Sequence, residues 1–478
     1  MRLLLPFIFI SSIVLYSCMD EEDFTTSPQD VLVFSVDSVD FDTLIAGELS
    51  HTQTLQVYNH NNSAVQIKSV SLQQGASSIF RVNVDGTALI HGTATDFQIP
   101  SGDSLRIFVN SLTPSCDSDA PVGHTDKLLF ELESGVVQEL PLEVHGWDVV
   151  KLQSVEILED ATFSSRRPYQ IFDSLVVRSG ATLSIPEGTR LFFHKDASLI
   201  VYGRLNVQGS AEKNVVFRGD RLGNMFTNQS YDCIPGQWGG IRIAAQSYGN
   251  HVNFADIHSG NYGILCDSSS IDSEKVCIEN SIIHNTSGDG LTLRHVNALV
   301  GNSQLTNAGG NCVNIFGGDV RITHCTIAQF YAFTANRGVA LLFANTDGAS
   351  AYPLQNLEVA NSIVTGYATD EIMGKRAEGD APFNYTFRNC LLNTPSYEAP
   401  EIVDCLWDND KNALYRADNF FPSFDLDRLL YSFTLDPQSV AVGTADPTIT
   451  ATTYPLDRLG IPRTSTPSMG CYEYVKNE

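Results

Sequence analysis

The chain has 478 residues, of which 43% are hydrophobic and 18% charged, a composition typical of folded proteins rather than disordered or membrane-embedded ones. Its formal net charge of -26 at pH 7 argues against nucleic acid as a partner, because such binding depends on Lys and Arg that neutralise phosphates. The same charge disfavours electrostatic attraction to an anionic membrane surface. The length allows two or three domains.

Residues 1–17 are typical of a secretory signal peptide. Arg2 precedes an apolar stretch from Leu3 to Val14, which is shorter than the roughly 20 residues that a membrane-spanning helix needs. The following Leu15-Tyr16-Ser17-Cys18 resembles the lipobox of bacterial lipoproteins. The resemblance implies that Cys18 is acylated and becomes the first residue of the mature chain, where its acyl chains anchor the protein to the membrane.

Residues 18–30 are predicted to form a disordered tether. An acidic run, Asp20-Glu21-Glu22-Asp23, leads into a Thr-, Ser- and Pro-containing stretch without a hydrophobic pattern. The run is similar to the acidic export signal that follows the lipidated Cys in surface lipoproteins of Bacteroidota. The resemblance implies an outer-membrane lipoprotein exposed at the cell surface, and an inward-facing outer-membrane lipoprotein is the alternative.

Residues 31–147 predict an antiparallel β-sandwich. Period-2 alternation recurs in short runs that are separated by turn signals such as Asp85-Gly86. The order of the runs resembles immunoglobulin-like modules of bacterial surface proteins. The predicted strands include Thr54–Tyr58, Val65–Val70, Ser104–Val109 and Lys127–Leu132, with Val144–Trp147 as the exit.

Residues 148–395 predict a parallel β-helix, because one short word recurs between apolar segments. The first three copies are 22 residues apart and the next two follow after 37 and 28 residues, a spacing typical of stacked coils. The copies begin at Asn280, Asn302, His324, Asn361 and Asn389.

These five residues are predicted to form a structural ladder at one bend of the coil. Asn tolerates left-handed backbone, and its amide can bond backbone groups, so stacked Asn side chains would satisfy polar groups from coil to coil. Apolar pairs two residues apart, such as Val276 and Ile278, precede the bend and are expected to face one interior.

The repeats resemble right-handed parallel β-helix proteins. The combination with the acidic tether, the sandwich, Gly219-Asp220-Arg221, Gly236-Gln237-Trp238 and a tail containing Met469–Glu473 is similar to a family of Bacteroidota lipoproteins known as β-helix-repeat proteins. That resemblance implies an architecture and a location but no activity. Residues 396–478 are expected to form an irregular cap over the last open strands, because exposed strand edges invite aggregation.

Besides Cys18 the chain has nine cysteines, an odd number that leaves at least one thiol without an intramolecular partner. Four of them lie in strand-like repeat segments, where cysteine behaves as a small hydrophobic residue. Buried free thiols are the favoured interpretation there, and disulfides are the alternative. These four are Cys277, Cys312, Cys325 and Cys390.

Two sequence patterns could indicate an enzyme, and each also has a structural explanation. Asn345-Thr346-Asp347-Gly348 resembles a motif of polygalacturonases, but the further motifs of those enzymes do not follow it, and the sequence is also a good turn. Lyases of this fold use Asp or Glu ligands for Ca²⁺ and an Arg or Lys base. The residues that could supply such a face are Asp256, Asp267, Asp272, Glu274, Glu279 and Asp289, with Arg242 and Arg294.

The sequence predicts no catalytic residue, metal or cofactor. No carboxylate repeats at the coil spacing, and the histidines (His258, His284, His295 and His324) do not fall into one register. Gly288-Asp289-Gly290 predicts a turn. The favoured function is a monomeric, non-catalytic surface lipoprotein whose β-helix binds a glycan or a protein or serves an envelope assembly. The alternative is a polysaccharide lyase or glycoside hydrolase acting on an acidic polysaccharide.

Overall fold

The computed structural model describes residues 23–226, 228–348, 350–408 and 421–475. The predicted signal peptide and Cys18 lie outside these ranges. The chain divides into two compact units, one formed by Met1–Ser115 with Val122–Gly146 and the other by Cys116–Pro121 with Trp147–Glu478. The predicted all-β fold class, a β-sandwich followed by a parallel β-helix, is confirmed.

The first unit contains two five-stranded antiparallel sheets, in the orders β1-β3-β8-β5-β6 and β2-β10-β9-β4-β7. The alternation that predicted the strands also makes the core, because every second side chain faces the opposite sheet. Val57, Ile67, Ile107 and Phe130 are fully buried there. The strands are β1 (Val33–Phe34), β2 (Val39–Ile45), β3 (Gln53–Tyr58), β4 (Val65–Leu72), β5 (Phe80–Val84), β6 (Thr87–Ala88), β7 (Thr93–Ile99), β8 (Ser104–Ser111), β9 (Val122–Leu132) and β10 (Val137–Trp147).

The described part of the predicted tether makes ordered contacts with this unit. Phe24 forms a parallel bridge with Ala64, and the Thr25 backbone N–H donates to the Ala64 carbonyl at 2.9 Å. Phe24 is partly buried, so an apolar side chain within the polar segment fixes it to the sandwich.

The second unit is a parallel β-helix. All its strand pairs from β11 to β38 are parallel apart from one hairpin, β19–β20, which lies in a loop. The strands are β11 (Val150–Ile157), β12 (Ala161–Thr162), β13 (Tyr169–Val177), β14 (Thr182–Pro186), β15 (Arg190–Phe193), β16 (Ser198–Val201), β17 (Arg204–Gln208), β18 (Val215–Gly219), β19 (Asn224–Phe226), β20 (Gln229–Ser230), β21 (Gly240–Ile243), β22 (Asn250–Asn253), β23 (Ala255–His258), β24 (Ile264–Cys266), β25 (Glu274–Glu279), β26 (Ile282–Thr286), β27 (Leu291–Gly301), β28 (Gln304–Ala308), β29 (Val313–Thr323), β30 (Thr326–Gln329), β31 (Leu341–Ala344), β32 (Leu354–Ala360), β33 (Ile363–Gly366), β34 (Ile372–Lys375), β35 (Thr386–Arg388), β36 (Leu391–Leu392), β37 (Ile402–Val403) and β38 (Leu406–Trp407).

The strand pairing defines three faces of the coil. Face A runs through β15, β18, β23, β26, β28, β30, β33, β36 and β38. Face B runs through β16, β21, β24, the first part of β27, the first part of β29, β31 and β34. Face C runs through β14, β17, β22, β25, the second parts of β27 and β29, β32, β35 and β37.

The interior of the helix is an almost purely apolar column. Inward side chains stack directly on those of the next coil, as Val276, Ala298 and Val320 do on face C, so each coil covers the hydrophobic surface of its neighbours. Phe193 and Trp238 stack in this core with ring centroids 4.3 Å apart. No disulfide joins the nine cysteines of the described residues, and eight of these nine are buried or partly buried.

The C-terminal segment, residues 421–475, packs against the outward side of face A. It contains the hairpin β39 (Ser423–Asp425) and β40 (Leu430–Ser432) and an α-helix, α1 (Pro447–Thr453), whose N-terminus is capped by the Asp446 carboxylate. Phe421, Phe433 and Met469 bury Phe330 and Leu391 of the β-helix. Within the described ranges no helix has the length and apolar character needed to cross a membrane.

Candidate functional site

Two histidines and two aspartates meet on the outward side of face A. Asp256 and His258 lie on β23, and His284 lies directly beside His258 on β26. Their neighbours in sequence, Ile257 and Ile283, point into the core, so the pleat directs these three polar side chains outward. Asp232 reaches the same point from the loop between β18 and β21.

The four side chains are in close mutual contact. Asp256 Oδ1 lies 2.9 Å from His258 Nδ1 and 3.2 Å from His284 Nε2. The other ring nitrogen of His258, Nε2, faces Asp232 Oδ1 at 3.5 Å, which is long for a hydrogen bond. Arg218, from β18, forms an ion pair with Asp232. We call these five residues the His–Asp cluster.

The charges of the cluster are mutually stabilising. Burial lowers the pKa of His258, but Asp256 and Asp232 outweigh this effect and raise it to about 9. Burial raises the pKa of Asp256, yet the two histidines hold it well below its usual range. Asp232 likewise resists the effect of burial, since His258 and Arg218 lower its pKa to about 2. Both carboxylates are therefore ionised at neutral pH.

The cluster corrects one expectation from the sequence. His258 and His284 do share a register, although 26 rather than 22 residues separate them. The longer loops of that coil absorb the extra residues without changing the strand pairing, which a fixed period does not reveal. His295 instead lies in β27, where Nδ1 is 3.2 Å from the Ser269 carbonyl oxygen, and His324 is at the ladder bend.

Sequence reasoning missed Asp232 and Arg218. The loop that carries Asp232 is held by Gln237, whose Nε2 donates to the carbonyls of Tyr231 at 2.5 Å and Ile234 at 2.7 Å. Ser259 Oγ donates to the Asp232 carbonyl at 2.8 Å. The Gly-Gln-Trp word at 236–238 therefore serves to fix this loop, and the Gly-Asp-Arg word at 219–221 marks its beginning directly after Arg218.

A second group of potential ligands lies on face C. His251 Nε2 is 3.5 Å from Glu279 Oε2, and Cys277, in register with His251, lies beside both. Tyr454 of the C-terminal segment donates to Glu279 Oε1 at 2.9 Å. Asp256, His258 and His284 of the His–Asp cluster form one set of potential ligands, and His251, Cys277 and Glu279 on face C form the other. Within each set the ligand atoms lie within 4.8 Å of one another, close enough to hold a metal ion.

The five predicted ladder residues all lie at the bend from face C to face A. Each has left-handed backbone, with φ between 47° and 52°. Asn302 Nδ2 donates to Asn280 Oδ1 at 2.7 Å, and Asn361 Nδ2 donates to His324 Nε2 at 3.1 Å. Asn389 has the same backbone and donates its N–H to the Val403 carbonyl.

The ladder side chains bind the C-terminal segment as well as one another. Arg463 Nη2 donates to Asn302 Oδ1 at 2.9 Å, and Asn361 Nδ2 donates to the Asp446 carbonyl at 3.0 Å. As expected, the amides bond one another between coils and bond backbone carbonyls, but these carbonyls belong to the C-terminal segment, because the backbone N–H groups at the bend already pair with carbonyls of the next coil. The side chains are therefore free to hold the segment.

The second position of the repeated word, predicted as a buried thiol where it is Cys325 or Cys390, was given no role where it is serine. Its hydroxyls bond the backbone between coils: the Ser281 N–H donates to Ser303 Oγ at 3.1 Å, and the Cys325 N–H donates to Ser362 Oγ at 3.0 Å. These serines supply the backbone satisfaction that the asparagines were expected to supply.

The candidate lyase face does not form, because its residues lie on different faces with partners of their own. Arg242 on face B pairs with Asp267 at 2.9 Å. Asp289 accepts from the Asn311 N–H at 2.8 Å and from Asn314 Nδ2 at 2.7 Å, which makes it part of a turn. Asp272 Oδ2 accepts from Ser270 Oγ, Arg294 lies 3.9 Å from Asp347, and Glu274 begins β25 on face C.

The polygalacturonase-like word is a turn. Asn345 is fully buried, and its amide donates to the Ala381 carbonyl at 3.1 Å while its oxygen accepts from the Ala377 N–H at 2.6 Å. Thr346 Oγ1 accepts from the Gly348 N–H. Asn345 and Thr346 therefore use their side chains in hydrogen bonds within the fold, which is a structural role.

Comparisons with known proteins show likeness of fold at low identity. The chain is similar to Dex49A from Penicillium minioluteum (11% identity, TM-score 0.25, covering 82% of this chain and 81% of that one). It is also similar to the family 28 exopolygalacturonase of Yersinia enterocolitica (9%, 0.22, 75% and 92%). PapD-like domain 7 of human CEP192 matches 28% of this chain over 93% of its own length, at 15% identity and a TM-score of 0.17. No protein-family model and no curated protein matches this chain.

Proposed function

We propose that this protein is a lipid-anchored outer-membrane protein of the Bacteroidota β-helix-repeat type, whose β-helix binds a surface glycan or protein without chemically altering it. The main support for this proposal is that the candidate catalytic groups are spread over different faces of the β-helix. Most glycoside hydrolases use two carboxylates at one bond, and lyases of this fold use a base beside bound Ca²⁺. The carboxylates proposed for this role lie on different faces and at turns, each in its own local contacts.

The anchor is tested by replacing Cys18. We expect Cys18→Ser to move the protein from the membrane fraction to the soluble fraction and to leave the precursor uncleaved. A Cys116→Ser variant is the matched control, because Cys116 is the exposed thiol of the described residues and lies far from the lipobox in sequence. Unchanged membrane association of the Cys18→Ser protein would contradict the proposed anchor.

Surface exposure and binding are tested on the same strain. Protease added to intact cells should degrade the protein, whereas a periplasmic marker should survive. The purified chain should bind to glycans immobilised on an array. Incubated with uronic-acid polysaccharides, it should release no product. Formation of unsaturated or reducing-end products by the purified chain would overturn the non-catalytic proposal in favour of a lyase or hydrolase.

A further inference from the structure

The His–Asp cluster has the arrangement of a metal site rather than of a surface ion-pair network. Two imidazoles and one carboxylate converge: Asp256 Oδ1 is 2.9 Å from His258 Nδ1 and 3.2 Å from His284 Nε2. A tetrahedral ion with bonds of about 2.0–2.1 Å holds its ligand atoms roughly 3.3 Å apart. The two separations from Asp256 Oδ1 are close to that value, and all three ligand atoms lie within 4.8 Å of one another.

We propose that Asp256, His258 and His284 bind a divalent first-row transition metal, with zinc as the best match. Two histidines and one carboxylate form a ligand set that such ions use, whereas Ca²⁺ and Mg²⁺ prefer oxygen ligands alone. This inference goes beyond the proposed function and does not depend on the lipid anchor or on glycan binding.

The surroundings of His258 supply the outer contacts that metal-binding histidines have. Such a histidine usually presents its second ring nitrogen to a carboxylate, which fixes the ring and raises its basicity. Here His258 Nε2 faces Asp232 Oδ1 at 3.5 Å, and the His258 side chain is only 7% exposed. Arg218 in turn holds Asp232.

The charges also suit a dication. The positive Arg218 and the negative Asp232 cancel, which leaves one carboxylate, Asp256, and two imidazoles that are neutral when they act as ligands. His258 and His284 lie with ring centroids 4.8 Å apart, at an angle of 34°. The two rings are therefore close enough to share one ion that also binds Asp256.

The site is open on one side. The side chains of Asp256 and His284 are 26% and 22% exposed, so a water molecule or an anionic group of a ligand can reach the fourth position of the ion. Three protein ligands with one open position are typical of zinc sites that bind or activate a small molecule, whereas structural sites are closed by four protein ligands.

The test is metal titration of the full-length purified chain. After treatment with a chelator, the wild-type chain should bind Zn²⁺ in calorimetry, and Co²⁺ should give the visible spectrum of a tetrahedral nitrogen–oxygen site. His284→Gln and Asp256→Asn should each weaken Zn²⁺ binding at least about 100-fold, and Asp232→Asn should weaken it by about 10-fold to 100-fold. Unfolding of each metal-free variant, followed by circular dichroism, checks that it folds.

The matched controls lie in the group on face C. His251→Gln and Cys277→Ser should leave the affinity and the cobalt spectrum unchanged, because these residues belong to another face. Loss of binding in Cys277→Ser together with a thiolate-to-cobalt absorption band would place the ion on face C and overturn the proposal. Wild-type affinity in the folded His284→Gln chain, or no Zn²⁺ binding by the wild-type chain, would overturn it as well.

Discussion

At the scale of single residues, the left-handed backbone at the bend from face C to face A explains why the same residue type recurs there in the sequence. Left-handed backbone destabilises the folded state at most L-residues. Asn adopts this conformation at a lower cost than most other residues do. Asn280, Asn302, Asn361 and Asn389 take this conformation, and His324 takes it in the remaining copy of the word. The identity of the side chain then determines what the bend can bind.

Asn302 should contribute more stability than its backbone conformation alone explains. Asn302→Leu removes one of the two acceptors of the buried Arg463 Nη2, which keeps the Gly470 carbonyl, and leaves Asn280 Oδ1 without its donor, at about 1–3 kcal/mol for the unsatisfied group. Asn389→Leu is the matched control, because Asn389 has the same positive φ but is only partly buried. We expect urea unfolding to show a loss of stability at least about 1 kcal/mol larger for Asn302→Leu.

Equal losses in the two variants would show that backbone strain, and not the side-chain network, explains the effect. Glu279→Gln is not a suitable neutral control for this comparison. Its carboxylate accepts from Tyr454 and lies beside His251.

His324 should make the fold sensitive to acid. Nδ1 lies 3.3 Å from the Gly470 carbonyl oxygen, so it carries the proton, and Nε2 accepts from Asn361. Burial, with Arg463 nearby, holds the pKa of His324 well below its usual value. The unfolded chain therefore takes up a proton below about pH 6.5 that the folded chain does not, and stability falls as the pH falls, by about 1.4 kcal/mol per pH unit.

Above about pH 6.5 both states are neutral at this residue and its contribution is constant. His324→Asn, which restores the residue of the other copies, should remove this part of the dependence in unfolding curves measured between pH 7.5 and 5. His91→Asn is the control, since His91 also has positive φ but is exposed. The same slope in wild type and His324→Asn would contradict the assignment.

At the scale of elements, the C-terminal segment acts as a clasp along the outward side of the β-helix. Its helix α1 contacts the ladder through Thr450, and Gly470, with a φ of 85°, passes so close to Thr326 that a Cβ would lie 2.7 Å from Thr326 Oγ1. The Met469–Glu473 word is therefore a docking sequence for the β-helix. This word contacts both the ladder and face A.

The buried pair of Arg463 and Glu473 should be essential to this clasp. Arg463 Nη1 lies 3.3 Å from Glu473 Oε2, and both side chains are almost completely buried. Glu473→Gln leaves a buried guanidinium without its counter-charge, which costs about 3–5 kcal/mol. Glu139→Gln removes the partner of the exposed Lys127 and should cost under about 1 kcal/mol.

Urea unfolding measures both losses, and limited proteolysis should cut residues 421–475 faster in Glu473→Gln. A loss below 1 kcal/mol in Glu473→Gln would show that this ion pair is not essential to the docking of the segment.

At the scale of the whole molecule, the net charge of -26 opposes the membrane to which the lipid would attach the protein. Exposed like charges repel an anionic surface at low ionic strength and less so at high ionic strength. Membrane association should therefore depend on the acyl chains and not on the protein surface.

Vesicle sedimentation tests this dependence. The acylated chain should sediment with vesicles of anionic phospholipid, whereas the Cys18→Ser chain should stay in the supernatant at both low and high salt. Vesicles of neutral phospholipid are the control for the contribution of charge. Sedimentation of the Cys18→Ser chain with anionic vesicles would reveal a binding surface that the net charge does not predict.

The sequence by itself determined the all-β class, the division into sandwich and β-helix, and the position of the bend. These features follow from local patterns: alternation within a strand, and the backbone preference of one residue type at a fixed place in each coil. Strands such as β3 and β8 were therefore predicted within one or two residues.

Only the tertiary structure decided the His–Asp cluster and the clasp. His258 and His284 meet because strands pair in register across coils of unequal length, and Asp232 joins them from an inserted loop. Arg463 reaches Asn302 although 161 residues separate them. Such contacts depend on how loops of variable length return the chain to the same place, and no local period encodes that path.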